Sequence, residues 1–290
     1  TADSVLTSCS CFRDAAALSD AKLAAAALAT VKILMRKAPN RAAVTAANTK
    51  ALVGVLSGSH PAAVKQEAAN AILNLCYHHP SVQLVVDCGG AAALVALLDS
   101  PNSDLQTSAA GAVQSVCFQP MGRLAVRDAG GVALLAGLLE SPHETLRGRT
   151  IGAIHNLSSD ALVSVQLCEL VGHFAVDVHS RRGLIRVVQG AIPLVIRLLR
   201  EPVPKTCASA AGTLQNLSRD ADCRAAIVAS EALDWLTALL FGSDATAQAC
   251  ACGALWNLAT MGGEEEDSGD ELLRVAALKS LLADSVAIGA

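Results

Sequence analysis

The sequence predicts an all-α fold, a right-handed α-solenoid of stacked three-helix units. Composition is the first of three observations behind this. Of 290 residues, 56 are Ala and 41 are Leu, while aromatics are 2% and charged residues 17%. Such a chain is too apolar for disorder and too poor in aromatic and β-branched runs for a β-sandwich, and it favours closely packed helices. The second is an internal repeat. An eight-residue pattern reads AANAILNL at 68–75, AAGAVQSV at 109–116, TIGAIHNL at 150–157, AAGTLQNL at 210–217 and ACGALWNL at 251–258, with a degenerate copy, ALATVKIL, at 27–34. The third is its spacing. The seventh positions are Ile33, Asn74, Ser115, Asn156, Asn216 and Asn257, at intervals of 41, 41, 41, 60 and 41.

Each unit divides in the same way. A short first helix, such as 82–87 or 123–128, ends at a Gly pair that permits a sharp turn. A second helix follows: GGAAALVALL at 89–98, GGVALLAGLL at 130–139, QGAIPLVIRLL at 189–199 and SEALDWLTALL at 230–240. A polar turn comes next, Ser100-Pro101-Asn102-Ser103-Asp104 or Ser141-Pro142-His143-Glu144, where Ser or Asp can cap the following helix and Pro ends the preceding one. The long third helix carries the eight-residue pattern.

Numbered from its seventh position, the third helix separates into two faces at about 100° per residue. Position −2 (Val31, Ile72, Val113, Ile154, Leu214, Leu255) and position +1 (Leu34, Leu75, Val116, Leu157, Leu217, Leu258) are aliphatic in every copy. Positions −6 and −5 are mostly Ala, allowing close helix approach. The opposite face holds −7, −4, the seventh position, +3 and +4, and it is polar or Gly: Glu67, Asn70, Asn74 and His78 in one unit, Arg149, Gly152, Asn156 and Asp160 in another. One unit cannot bury its apolar face alone, so the units must stack.

With three helices per unit, a period near 41, a Gly before the second helix and an A-x-G-A-L-x-N-L third helix, the chain resembles the armadillo-repeat family. The resemblance covers 1–290 as a single solenoid. Its repeats fall at about 9–48, 49–89, 90–130, 131–189, 190–231 and 232–272, with a truncated one at 273–290. The interval of 60 holds an insertion, VSVQLCELVGHFAVDVHS at 163–180; removing it restores the distance of 16 from the seventh position to the Gly. Three readings of this apolar segment stand: a partner-binding loop, a tolerated surface insertion, or a translated intron, since Val163-Ser164 fits the codons of a common splice-donor site. The chain opens on Thr1, not Met, and its end lacks a final helix, which reads as a fragment or processed product.

Sites of other chemistry are poorly supported. The net charge is −4, with no dominant basic patch for nucleic acid. The longest apolar run, Ala91 to Leu98, is far below the roughly 20 residues of a membrane helix. Ten scattered cysteines with no signal peptide read as reduced thiols of the cytoplasm or nucleus. Cys9-Ser10-Cys11 and Cys250-Ala251-Cys252 are C-x-C pairs, and neither C-x-x-C nor H-x-x-x-H spacing occurs, so no metal is expected. Cys76, Cys117 and Cys252 read as small packing residues. There is no G-x-S-x-G and no P-loop, so an enzyme is not expected and neither is a cofactor. The acidic run Glu264-Glu265-Glu266-Asp267 reads as a solvated loop that could attract a basic partner.

What the resemblance implies is a surface. In armadillo proteins the stacked third helices line a concave groove that binds an extended peptide, and the recurrent Asn bonds its backbone. Matched residue by residue, that role falls to Asn74, Asn156, Asn216 and Asn257, with Ser115 a weaker substitute and Ile33 a break in the row. Alternatively, each Asn braces its own turn. Glu67, Asn70, Arg149 and Arg219 complete the polar face. Tyr77, Phe118 and Trp256 are either hot spots on the groove or core residues. Importin-α-type receptors carry Trp at −4. Here that position is Ala29, Asn70, Gly111, Gly152, Gly212 and Gly253, which argues against nuclear-import cargo, is closer to the β-catenin, plakophilin, membrane-tethered-adaptor and plant armadillo groups, and suggests a broad, shallow groove. The expected function is a protein-binding scaffold for an extended or helical partner segment. Two alternatives are the substrate-recruiting module of a larger enzyme, such as a U-box ubiquitin ligase, and an adaptor tethered to a membrane through acylated Cys9 and Cys11.

Overall fold

A computed structural model describes residues 21–160 and 191–260. Every regular element among them is helical. In chain order they are α1 (Ala21–Leu34), α2 (Ala38–Ala42), α3 (Ala46–Ser57), α4 (Ala62–Leu75), α5 (His79–Asp87), α6 (Gly90–Leu98), α7 (Ser103–Val116), α8 (Pro120–Asp128), α9 (Gly131–Leu138) and α10 (Glu144–Leu157). They continue as α11 (Ala191–Leu198), α12 (Pro204–Leu217), α13 (Ala221–Val228), α14 (Ala232–Leu240) and α15 (Ala245–Thr260). The chain forms two compact units, 1–157 and 158–290. The insertion at 163–180, the acidic run, the truncated repeat, Cys9 and Cys11 lie outside the described residues.

The expected unit is present. In the first compact unit the third helices α1, α4, α7 and α10 pack in succession, α3, α6 and α9 form a second layer, and α5 lies on α8. Each second helix also packs on its own third helix, as α6 does on α7 and α9 on α10. In the second compact unit α12 packs on α15, α11 on α12 and α14 on α15.

The bend between first and second helices turns α5 against α6 by 81°. Gly89 and Gly130 make this turn at φ 77°, in the left-handed region that side chains avoid. The matching bend before α14 has Glu231 at φ −75°, so it is built without a left-handed residue. In the polar turn before α7 the cap is Asn102, whose side chain accepts from the Leu105 N–H at 2.9 Å, rather than the expected Ser or Asp. Asp244 does cap α15, accepting from the Ala247 N–H at 2.7 Å.

The core lies where the 3.6-residue pattern places it. Position −2 is buried in all six copies, and position +1 in every copy except Leu34, which is half-buried at the start of the array. Ala68, Ala69, Ala109, Ala110, Ala210 and Ala211 are fully buried at −6 and −5, where third helices meet. Cys252 is the exception at −5, for it is exposed.

Candidate functional site

The sequence-selected residues lie on the third helices or in the turns that leave them, and none is buried. Glu67, Asn70, Asn74, Ser115, Arg149, Asn156, Asn216 and Asn257 are half-exposed; Tyr77, Phe118, Arg219 and Trp256 are exposed. The three aromatics, 63%, 63% and 59% exposed, are therefore surface residues, and the core alternative falls. The Phe118 ring also meets His79, with centroids 6.0 Å apart.

The Asn row has a job that neither sequence reading stated. Asn74 Nδ2 donates to the Lys32 carbonyl at 2.8 Å, and Asn156 Nδ2 to the Gln114 carbonyl at 2.8 Å. Asn257 Nδ2 donates to the Gln215 carbonyl at 3.0 Å and to Ser218 Oγ at 3.1 Å, and Asn216 Nδ2 donates to Ser158 Oγ at 3.1 Å. Each acceptor belongs to the preceding repeat, not to the residue's own turn. The carbonyls sit in the last helical turn, where no i+4 amide completes the ladder. Next to Gln114, for example, the Phe118 N–H bonds the Ser115 carbonyl instead. The amide thus staples one repeat to the next. Among the described residues, Oδ1 of Asn74, Asn156 and Asn257 accepts no hydrogen bond and remains available as an acceptor.

The −4 glycines are not an open floor. A Cβ on Gly111 would come within 2.9 Å of Leu73 Cδ1. A Cβ on Gly152 would run into the Gln114 amide, and one on Gly253 into the Gln215 amide. At these three boundaries position −1 of one unit therefore lies across −4 of the next, and this corrects the broad, shallow groove expected from the sequence. Across the boundary between the first two described repeats, Lys32 Nζ meets Glu67 Oε2 at 2.6 Å.

Two further devices escaped sequence reading because their signals are single residues at wide spacing. Arg41, Arg123 and Arg224, each eight residues past the seventh position, cap the preceding third helix. Arg41 Nη1 donates to the Met35 and Arg36 carbonyls at 2.9 Å each, and Arg224 Nη1 to the Ser218 and Arg219 carbonyls at 3.2 and 3.0 Å. Nine residues before the seventh position, Gln106 Nε2 donates to the Leu98 carbonyl at 2.9 Å and Gln248 Nε2 to the Leu240 carbonyl at 3.1 Å, tying second helix to third. A separate cavity of about 460 Å³ opens on the first- and second-helix side of the second compact unit, lined by Ile192, Ile196 and Ala226, among others. At its edge the Arg200 guanidinium lies 4.1 Å from the Trp235 ring centre.

Cys76 and Cys117 fit packing. Burial raises Cys76 to about 12 and pushes Cys117 higher still, so both stay protonated. Among the described residues no group of three or more His, Cys, Asp or Glu side chains could hold a metal ion.

Comparison with known proteins agrees with this geometry. Residues 78–118, 119–159 and 185–219 match the Armadillo/beta-catenin-like repeat model, leaving out 160–184, where the insertion falls. Among solved structures, an engineered protein is 26% identical, at TM-score 0.70 over 86% of this chain and 95% of its own. A designed armadillo repeat protein is 18% identical, at TM-score 0.69 over 85% and 98%. Another, in complex with the peptide (KR)4, is 20% identical, at TM-score 0.65 over 83% and 95%. No curated protein matches the chain.

Proposed function

We propose that this chain, whose repeats match the armadillo model over 78–118, 119–159 and 185–219, is a non-enzymatic scaffold that binds an extended segment of another protein along its third helices. The observation that carries this reading is the row of half-exposed Asn side chains. Each gives its N–H to the preceding repeat, while Oδ1 of Asn74, Asn156 and Asn257 is left to accept from a peptide N–H. Exposed Tyr77, Phe118 and Trp256 beside this row supply the large apolar contacts that dominate protein interfaces. A solved designed armadillo protein holding a (KR)4 peptide supports the fold's capacity for such a ligand.

The test is hydrogen exchange of the whole chain, with and without a peptide selected on it from a random display library. Protection should appear in the last turns of α4, α7 and α10 and the loops that follow. Protection confined to first and second helices would count against the groove.

A further inference from the structure

Resting on that reading, we infer that the boundary between α4 and α7 holds a subsite for a side-chain amide, where the partner segment places an Asn or Gln. At other boundaries the chain supplies this amide itself. The −1 carbonyls of Lys32, Gln114 and Gln215 each receive Nδ2 of the next repeat's Asn. Between α4 and α7 the seventh position is Ser115, whose side chain is too short to repeat that bond. Leu73 is the −1 residue there. Its carbonyl stands in the last turn of α4, where the Tyr77 N–H bonds the Asn74 carbonyl at 3.4 Å and the Cys76 N–H bonds the Ile72 carbonyl at 2.9 Å. Among the described residues nothing donates to the Leu73 carbonyl, and Ser115 Oγ has no hydrogen-bond partner. Leu73 and Ser115 are half-exposed, and the Ser115 hydroxyl is not among the polar atoms shut off from solvent.

A carbonyl beside a hydroxyl asks for one kind of donor, and Asn257 shows which. Its Nδ2 donates to the Gln215 carbonyl at 3.0 Å and to Ser218 Oγ at 3.1 Å together. A primary amide has two N–H donors for such a pair and an oxygen to accept the Ser115 O–H. Ser115 ends one bond short of an Asn amide nitrogen, so a ligand NH2 can enter where the chain's own stands elsewhere. No neighbouring amide of the chain takes that place. Over Gly152 and Gly253 the −1 side chain is Gln114 or Gln215, but over Gly111 it is Leu73. A carboxylate has no donor for the Leu73 carbonyl. A Lys or Arg head would bring a charge that neither group neutralises, beside an Arg149 side chain that lies 3.5 Å from a Cβ added at Gly111. The turns that leave α4 and α7 carry Tyr77 and Phe118, each 63% exposed. The matching segment is therefore an Asn or Gln with apolar residues on either side.

Selection of a random ten-residue display library on the full chain, run in parallel on Ser115→Asn, tests the subsite. Peptides from the wild-type chain should share an Asn or Gln between apolar residues, and those from Ser115→Asn should not. In fluorescence anisotropy, changing that amide to Leu in a wild-type-selected peptide should weaken binding to the wild-type chain about tenfold, as for a hydrogen bond whose loss leaves a carbonyl unpaired. The same change should not weaken binding to Ser115→Asn, whose own amide fills the subsite. Ser115→Ala, which removes only the hydroxyl, should lose about threefold for the amide peptide and nothing for its Leu version, at unchanged Tm. If peptides bind and Tyr77→Ala with Phe118→Ala weakens them, but no amide is shared or both pools share it equally, the groove reading stands and the subsite is overturned. Lys or Arg in place of the amide also overturns it. If the library yields no binder, both readings fail.

Discussion

On the proposed reading, a single amide serves both fold and binding. Asn156 closes an otherwise open carbonyl at the end of α7, and the second half of its amide faces outward. Asn156→Ala should cost about 1 kcal/mol in urea unfolding, the usual net worth of such a bond. Asn156→Asp should cost more, because it sets a carboxylate oxygen against the Gln114 carbonyl. Thr150 offers the opposite case. It stands at −6, where most copies have Ala, and its hydroxyl is buried with no hydrogen-bond partner. Thr150→Val should therefore raise stability by about 1 kcal/mol, and a loss in the same urea measurement would show that the hydroxyl is satisfied. Burial holds His155 below its ordinary value of 6.5. The folded chain then keeps it neutral where the unfolded chain takes up a proton. Its contribution is present above about pH 6.5 and is lost as pH falls below that value. His155→Gln, which installs the residue found at the same position in two other repeats, should flatten the fall in Tm between pH 7.5 and 5.5.

Among the elements, the third helix was the most legible in sequence. Four equal intervals of 41 and the aliphatic −2 and +1 positions set its phase, and the structure buries those positions. The left-handed bend was legible too, because only Gly sits easily at φ 77°. Inter-repeat contacts were not. Helical angles say which face a residue takes, but not that the Gln114 side chain spans the gap to Gly152 in the next unit. The sequence therefore suggested an empty groove floor where one repeat covers another. Gly152→Leu distinguishes the two pictures. An open floor would accept the side chain, whereas a covered one must expel Gln114, at a cost of about 1–3 kcal/mol in unfolding free energy. The Arg caps at Arg41, Arg123 and Arg224 were equally hidden, since their partners are backbone carbonyls that carry no sequence signal.

For the molecule as a whole, repetition makes stability and recognition modular. Each repeat adds an interface with its neighbour, a bridging Asn where one is present, and one further contact position. The row is uneven. Ile33 and Ser115 interrupt the Asn series, and +3 changes from Arg36 to Tyr77 to Phe118 along the first compact unit. On the proposed reading, variation at +3 on a constant frame sets partner choice. Binding of a display-selected peptide to the wild-type chain and to Tyr77→Ala with Phe118→Ala tests this most directly. Both rings are 63% exposed and contribute little to the core, so the account expects an unchanged Tm and a loss of affinity of at least about tenfold, as for interface hot spots. Undiminished binding at unchanged Tm would contradict it.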